Sequence, residues 1–80
     1  MLEWEQQDEY YMTADGGRYC ICKTFDDKKV VYTATRVIGP GKAQWLAQGY
    51  AEIGDNQQCA SIVTWLKAKC MEDRDGIQRA

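Results

Sequence analysis

The feature that most constrains this sequence is a run of apolar residues at helical spacing between positions 55 and 71. Asp55 and Gln58 form a capping-box pattern, in which the Asp55 carboxylate accepts a bond from the N–H of Gln58 and Gln58 reaches back. At about 100° per residue, one stripe of the helix then carries Cys59, Ile62, Val63, Leu66 and Cys70. The apolar stripe of such a helix must be buried against a second layer of structure. The rest of the chain must supply that layer.

Three segments before position 39 are rich in strand-forming residues and are separated by turn signals. They span residues 10–14, 18–25 and 30–38, and a further short strand is considered within residues 2–6. After them, Pro40 and the apolar spacing up to Tyr50 indicate a second helix over residues 40–53, although Gly49 weakens it by about 1 kcal/mol. We therefore predict an α+β fold: a three-stranded antiparallel meander followed by one or two helices packed on one sheet face.

Side-chain alternation divides the predicted sheet into an aromatic face and a face rich in Cys and Thr. If both hairpins have two-residue loops, the aromatic face carries Tyr10, Met12, Ala14, Tyr19, Ile21, Lys23, Phe25, Val30, Tyr32 and Ala34. An odd-length loop would flip a strand and scramble this assignment. Its larger apolar area favours it as the surface under the helix. In the alternative packing the helix covers the Cys and Thr face, and the aromatic face is left for binding.

Charge is distributed unevenly along a chain whose net charge is −2. Residues 1–15 contain five acidic residues and neither Lys nor Arg. We interpret residues 1–80 as one small domain with an acidic N-terminal segment over residues 1–8 and a frayed tail over residues 73–80. The acidic segment is either a solvated start to the fold or a patch that meets a basic partner. The net charge argues against unspecific adhesion to nucleic acid or anionic lipid.

The residue types needed for catalysis are scarce. The chain has no His, which removes the commonest general base and the common catalytic dyads and zinc sites, so we predict that it is not an enzyme. Cys20 and Cys22 share one side of a strand, whereas Cys59 and Cys70 are about 16 Å apart along a helix. The four cysteines therefore predict buried small hydrophobes, with no metal and no cofactor.

The first residues lack the basic segment and apolar run of a signal peptide, and no apolar run is long enough to span a membrane. We expect a cytoplasmic protein without a membrane partner, in which the thiols stay reduced.

A resemblance covers about a third of the chain. The segments Tyr10-Tyr11, residues 17–23 (GRYCICK) and residues 31–34 (VYTA) resemble a pattern in small uncharacterised phage and prophage proteins. The size, acidic balance and build are also similar to those of many anti-CRISPR proteins. This resemblance implies a compact domain that inhibits a host complex stoichiometrically by blocking a surface or channel.

Two functions from different classes follow. The first is a non-catalytic binding protein acting on a macromolecular partner, most simply a protein. Its candidate surface residues are Glu3, Trp4, Glu5, Asp8, Glu9 and Trp45. The alternative is a single-stranded nucleic-acid binder that stacks bases on aromatic rings beside cations. The residues proposed for this binding are Arg18, Tyr19, Lys23, Phe25, Lys28, Lys29, Tyr32 and Arg36.

We expect the protein to be a monomer or a homodimer formed through an edge strand or an exposed sheet face.

Overall fold

The computed structural model describes the backbone of residues 2–79 and the side chains of residues 2–77. The chain is an α+β domain in which five strands precede one helix. The elements are β1 (Trp4–Gln6), β2 (Tyr11–Ala14), β3 (Tyr19–Asp26), β4 (Lys29–Gly39), β5 (Lys42–Glu52) and α1 (Asn56–Arg79). The strands form one antiparallel sheet in the order β1-β2-β3-β4-β5, so each strand pairs with its neighbours in sequence.

The predicted three-stranded meander corresponds to β2, β3 and β4, and the short strand considered near the N-terminus is β1. The second helix is wrong, because residues 40–53 contain β5. Pro40 and Gly41 lie in a tight turn between Gly39 and Lys42, which pair with each other, and Gly41 adopts a φ of 68°. Proline followed by a residue with positive φ suits the two central positions of a type II turn, so the chain reverses and pairs with β4.

A β-bulge explains why β5 has the apolar spacing of a helix. Ala34 pairs with Ala47 whereas Thr35 pairs with Trp45, so Leu46 is an extra residue in β5. Leu46 and Ala47 both contact the hydrophobic core. In a regular strand, consecutive side chains point to opposite faces of the sheet. The extra residue interrupts this alternation, so the consecutive apolar residues Leu46 and Ala47 both contact the core.

Helix α1 covers the aromatic face of the sheet, as the larger apolar area predicts. The loop from Asp15 to Arg18 has four residues instead of the expected two, and the turn between Asp26 and Lys29 has two. Both lengths are even, so the predicted faces are kept. The buried core joins both layers and consists of Leu2, Ala14, Tyr19, Ile21, Val30, Tyr32, Ala34, Ala47, Leu66 and Cys70. All five residues of the predicted helix stripe belong to this core or pack against it.

The two ends of α1 differ from the prediction in instructive ways. At the start, Asp55 Oδ1 accepts the N–H of Gln58 at 3.0 Å as expected, but Gln58 Oε1 accepts the N–H of Glu52 rather than that of Asp55. At the other end the helix continues to Arg79, beyond the predicted end near Met71. Asp73 lies in this extension and bonds to the sheet through Tyr19 and Arg36. Met1 and Ala80, the outermost residues of the predicted acidic segment and tail, lie outside the described residues.

Candidate partner-binding surfaces

The face of the sheet opposite α1 has no covering layer among residues 2–79. We call it the open face, and define it by Tyr11, Thr13, Cys20, Cys22, Thr24, Val31, Thr33, Thr35, Trp45, Gln48 and Tyr50. The strand register places these residues in adjacent rows, with Thr13, Cys20, Thr35 and Trp45 across one of them. Alternation along the strands puts all of them on the side away from the helix.

Aromatic side chains stand out from this face. Trp45 is 59% exposed and Tyr50 is 50% exposed, and both belong to β5 at one edge of the sheet. Tyr11 is also exposed, on β2 near the other edge. Small and half-buried Thr and Cys side chains fill the area between them. Exposed aromatic side chains are enriched at sites that contact other proteins.

A pair of hydrogen bonds holds the aromatic end of the open face in place. Gln48 Nε2 donates to Thr33 Oγ1 at 3.0 Å, and Tyr50 Oη donates to Gln48 Oε1 at 3.0 Å. Thr33 of β4 thereby holds the side-chain amide of Gln48 in one orientation, and this amide in turn holds the hydroxyl of Tyr50. A side chain ordered before binding loses less rotamer entropy when a partner arrives.

Charges lie at the margins of the open face and not within it. Glu5 lies on β1, and Asp26, Lys29 and Glu52 form the row beyond Tyr50. None of the residues that define the open face carries a formal charge at neutral pH. An uncharged surface that includes aromatic residues and has a charged margin is a composition found in protein–protein interfaces.

The thiol of Cys20, on the open face, is protected from ionisation. Cys20 Sγ and Cys22 Sγ lie 3.5 Å apart on one side of β3. Burial raises the pKa of Cys20 to about 12, with the hydrogen bond to Cys22 as a second cause. Since the thiolate is the reactive form, Cys20 is a poor nucleophile and a poor metal ligand at neutral pH. Within residues 2–79 no group of three or more Cys, Asp or Glu side chains is placed to hold a metal ion.

The structure separates the residues of the predicted acidic surface. Glu3, Glu5 and Glu9 are exposed near β1, but Trp4 packs against the core and has the Lys67 ammonium 6.0 Å from its ring centre. Asp8 has a local role, because its Oδ1 accepts the backbone N–H groups of Tyr10 and Tyr11. Trp45 lies on β5, at the opposite edge of the sheet from β1. The acids and Trp45 therefore do not form one patch.

Helix α1 covers part of the basic and aromatic residues predicted for nucleic-acid binding. Tyr19 and Tyr32 are 0% and 8% exposed beneath the helix, so neither ring can stack on a base. The Tyr19 hydroxyl donates to Asp73 Oδ2 at 2.8 Å, and Arg36 donates to the same oxygen at 2.7 Å and to Gln44 at 2.6 Å.

Four of the remaining members are exposed but do not form one platform. Arg18 pairs with Asp15 at 3.8 Å, and Phe25 carries the half-buried Lys23 ammonium 5.5 Å from its ring centre. Lys28 lies in the β3–β4 turn, while Lys29 starts β4 at the margin of the open face.

One cleft adjoins the helix side of the sheet, lined in part by Tyr10, Lys23 and Val63. Its volume is about 160 Å³. Sites for drug-sized ligands measure roughly 300–1,000 Å³, so this cleft is too small for most cofactors. Its lining comes mostly from the helix side of the sheet, with Met12, Ile21 and Tyr32, and reaches Tyr11 of the open face.

Sequence reasoning missed Tyr11 and Tyr50 as surface residues. The helical spacing of residues 40–53 assigns Tyr50 to an apolar helix stripe, whereas the structure places it in β5. The Pro40–Gly41 pair is the signal that could have found the strand, since this dipeptide is typical of turns. Once β5 is a strand, the alternation of Gln48, Tyr50 and Glu52 places all three on the face opposite the helix.

Four buried or partly buried Tyr and Cys side chains, which lose a proton at high pH, predict a loss of stability in alkaline solution. Burial raises the pKa of Tyr19, Tyr32 and Cys20 to about 12 and that of Cys70 to about 11, above ordinary values of 10.0 for Tyr and 9.0 for Cys. The unfolded chain releases these protons first, so their contribution to stability is complete below pH 9 and falls as the pH rises from about 9 to about 12. The urea midpoint should decrease across that window.

Tyr32→Phe is the matched control for this prediction, because it keeps the ring and removes one titrating hydroxyl. Its urea midpoint should fall less steeply with pH than that of the wild type. A midpoint that stays constant from pH 9 to the alkaline limit would contradict the burial of these groups.

Within the described residues, no helix combines the length and apolar character needed to cross a lipid bilayer. Comparison of the chain with protein-family models, with curated proteins and with solved structures found no match.

Proposed function

We propose that this chain is a non-catalytic cytoplasmic protein that binds a protein partner, and that the open face is its contact surface. The observation that carries this proposal is the pair of exposed aromatic side chains, Trp45 and Tyr50, beside an uncharged sheet surface. Exposed aromatic residues are the commonest anchors of protein interfaces, and a rigid sheet presents them at little entropic cost.

The charged margin supports the same function. Lys29 and Glu52 lie across from each other at one end of the open face, and Glu5 lies at the β1 edge. Such charges affect the rate and selectivity of encounter more than the final affinity. In this proposal the acidic N-terminal segment steers the partner, and the aromatic residues supply most of the binding energy.

The resemblance to phage and anti-CRISPR proteins is consistent with stoichiometric inhibition of a host defence complex. In that case the open face would block a protein surface on the complex. The single-stranded nucleic-acid alternative has less support, because Tyr19 and Tyr32 are buried and Arg36 is held by Asp73.

The experiment compares two pairs of aromatic residues with similar exposure. Bait protein carrying Trp45→Ser and Tyr50→Ser is tested against bait carrying Tyr10→Ser and Phe25→Ser, whose wild-type side chains are 50% and 55% exposed. Loss of an anchor costs about 2 kcal/mol, which is roughly a thirtyfold loss of affinity. A partner captured from host lysate by the wild type should be lost by the first bait and kept by the second.

Two outcomes would count against the proposal. Equal retention of the partner by both double variants would remove the open face as the contact surface. Capture that is abolished by nuclease would favour the nucleic-acid alternative. A third bait, with Glu3, Glu5 and Glu9 changed to Gln, should bind more slowly but reach nearly the wild-type affinity.

A further inference from the structure

The two edges of the sheet are protected to different extents. β1 has three residues and lies within the acidic segment, whereas β5 has eleven residues. The charged residues of β5 are its first and last, Lys42 and Glu52, and the strand contains no proline. Natural proteins usually shorten, charge or cover such an edge, because its unpaired backbone groups accept another strand.

The backbone of β5 has groups directed away from β4. The N–H of Glu52 donates to the side chain of Gln58 at 3.0 Å, so at this position the peptide group points outward from the sheet. Successive residues of an antiparallel strand direct their N–H and C=O groups to alternate sides. The backbone N–H and C=O groups of Tyr50 and Gln48 therefore also point away from β4. Within residues 2–79, β5 pairs with β4 alone.

The register of β5 is self-complementary. If a second copy pairs antiparallel with Gln48 opposite Gln48, then Gly49 lies opposite Ala47. Leu46 is the extra residue of the bulge and is skipped in the pairing. The next residue of the first copy, Tyr50, therefore lies opposite Trp45 of the second copy and not opposite Leu46. In each pair both side chains are on the same face of the sheet, as continuous pleating requires.

This register has two favourable consequences. On the open face, two Tyr50–Trp45 pairs form symmetrically, and aromatic cross-strand pairs stabilise a sheet. On the helix side, the paired residues are the small Gly49 and Ala47, which leave space near the symmetry axis for the two helices.

Helix α1 presents an exposed aromatic residue to the same edge. Lys67 extends over Trp4 of β1, and Ile62 contacts β5 at Gly49. Trp65 is about 200° from Lys67 around the helix, so it lies on the flank above β5. It is 46% exposed. Two copies joined at β5 would bring both Trp65 side chains toward one axis.

We propose that a second copy of this chain pairs with β5, antiparallel and centred on Gln48, so that two five-stranded sheets become one continuous sheet with both helices on the same side. This homodimer goes beyond the proposed function, because it uses the edge of the sheet and leaves the open face available. It doubles that face and places four aromatic side chains at its centre.

The test places charges at the symmetry axis. In Gln48→Lys, two positive charges face each other in the dimer, and in Gln48→Glu two negative charges do so. Like charges at such short range weaken association strongly, so each variant alone should raise the dissociation constant at least about tenfold. An equimolar mixture of the two variants should recover a dimer that contains one copy of each, as detected by native mass spectrometry.

Light scattering coupled to size exclusion gives the baseline. The wild type should have twice the mass of the chain at about 0.1 mM and dissociate on dilution. The matched control is Gln57→Lys mixed with Gln57→Glu, since Gln57 is exposed on the first turn of α1, away from the sheet, and both control variants should dimerise as the wild type does.

Three results would overturn the proposal: a strictly monomeric wild type, Gln48 variants that dimerise normally, or folded monomeric Gln48 variants that do not associate when mixed. Pairing of β5 with a strand from another protein would give the first of these results.

Discussion

Gly49→Ala is expected to destabilise the folded protein by about 1–2 kcal/mol. A Cβ atom at this position would lie 2.6 Å from Cγ2 of Ile62, which is part of a stiff β-branched side chain on α1. Overpacking of this kind costs typically 1–3 kcal/mol, and the reduced entropy of the unfolded chain offsets about 0.4–1 kcal/mol of it. The free energy of unfolding in urea measures the net change.

The sign of this change distinguishes two structures for residues 40–53. If the segment were the helix that its apolar spacing suggests, replacing an interior Gly by Ala would stabilise it by about 1 kcal/mol. In the observed sheet, the same replacement pushes α1 away from β5. A stabilised Gly49→Ala variant would therefore contradict the placement of β5 beneath the helix.

A double-mutant cycle provides the control for this prediction. Ile62→Ala removes Cγ2, the atom that the new Cβ would meet at 2.6 Å, although it also leaves a cavity. Residues in direct contact show coupling energies of about 0.5–3 kcal/mol. The double variant should thus be less destabilised than the sum of the two single changes. Additive effects would show that Gly49 and Ile62 do not touch.

Leu66→Ala is expected to cost about 3 kcal/mol, because Leu66 is fully buried at the centre of the layer between α1 and the sheet. Truncation of a buried leucine costs 2–5 kcal/mol, from lost burial and from the cavity that remains. A domain of 80 residues has a total stability of roughly 4–12 kcal/mol, so this single change removes a large part of it. Chemical unfolding followed by circular dichroism measures the loss.

Thr64→Ala is the matched control two residues away, on the exposed side of the same helix. It should change stability by no more than about 0.5 kcal/mol. Comparable losses for Leu66→Ala and Thr64→Ala would mean that the stripe containing Leu66 does not face the sheet.

The elements that could be predicted are those whose signals are local. The stripe of Cys59, Ile62, Val63, Leu66 and Cys70 follows from helical periodicity, and the β-branched run of β4 follows from strand propensity. The covered face could also be chosen in advance, since the side with Tyr19 and Tyr32 offers more apolar area.

The elements that were missed depend on contacts distant in sequence. β5 has helix-like spacing because of the bulge at Leu46, and a bulge is defined by its pairing with β4. The extension of α1 beyond Met71 includes Asp73, whose partners Tyr19 and Arg36 are on β3 and β4.

The candidate surface was missed for the same reason. Trp45 is exposed, but its neighbours could not be identified without β5 in the sheet. Tyr50 and Tyr11 become part of one surface only when the strand order is known. Conversely, Trp4 is close to the acids in sequence but is turned toward the core by the alternation of β1.

Hydroxyl-radical footprinting, read by mass spectrometry at single residues, tests most directly whether one face of the sheet is covered and the other is open. In the native protein, Tyr11, Trp45 and Tyr50 should be modified readily, while Tyr19 and Tyr32 should be protected until the chain is unfolded in urea. Modification of Tyr19 and Tyr32 as fast as that of Tyr50 would contradict both the position of the helix and the surface proposed for binding.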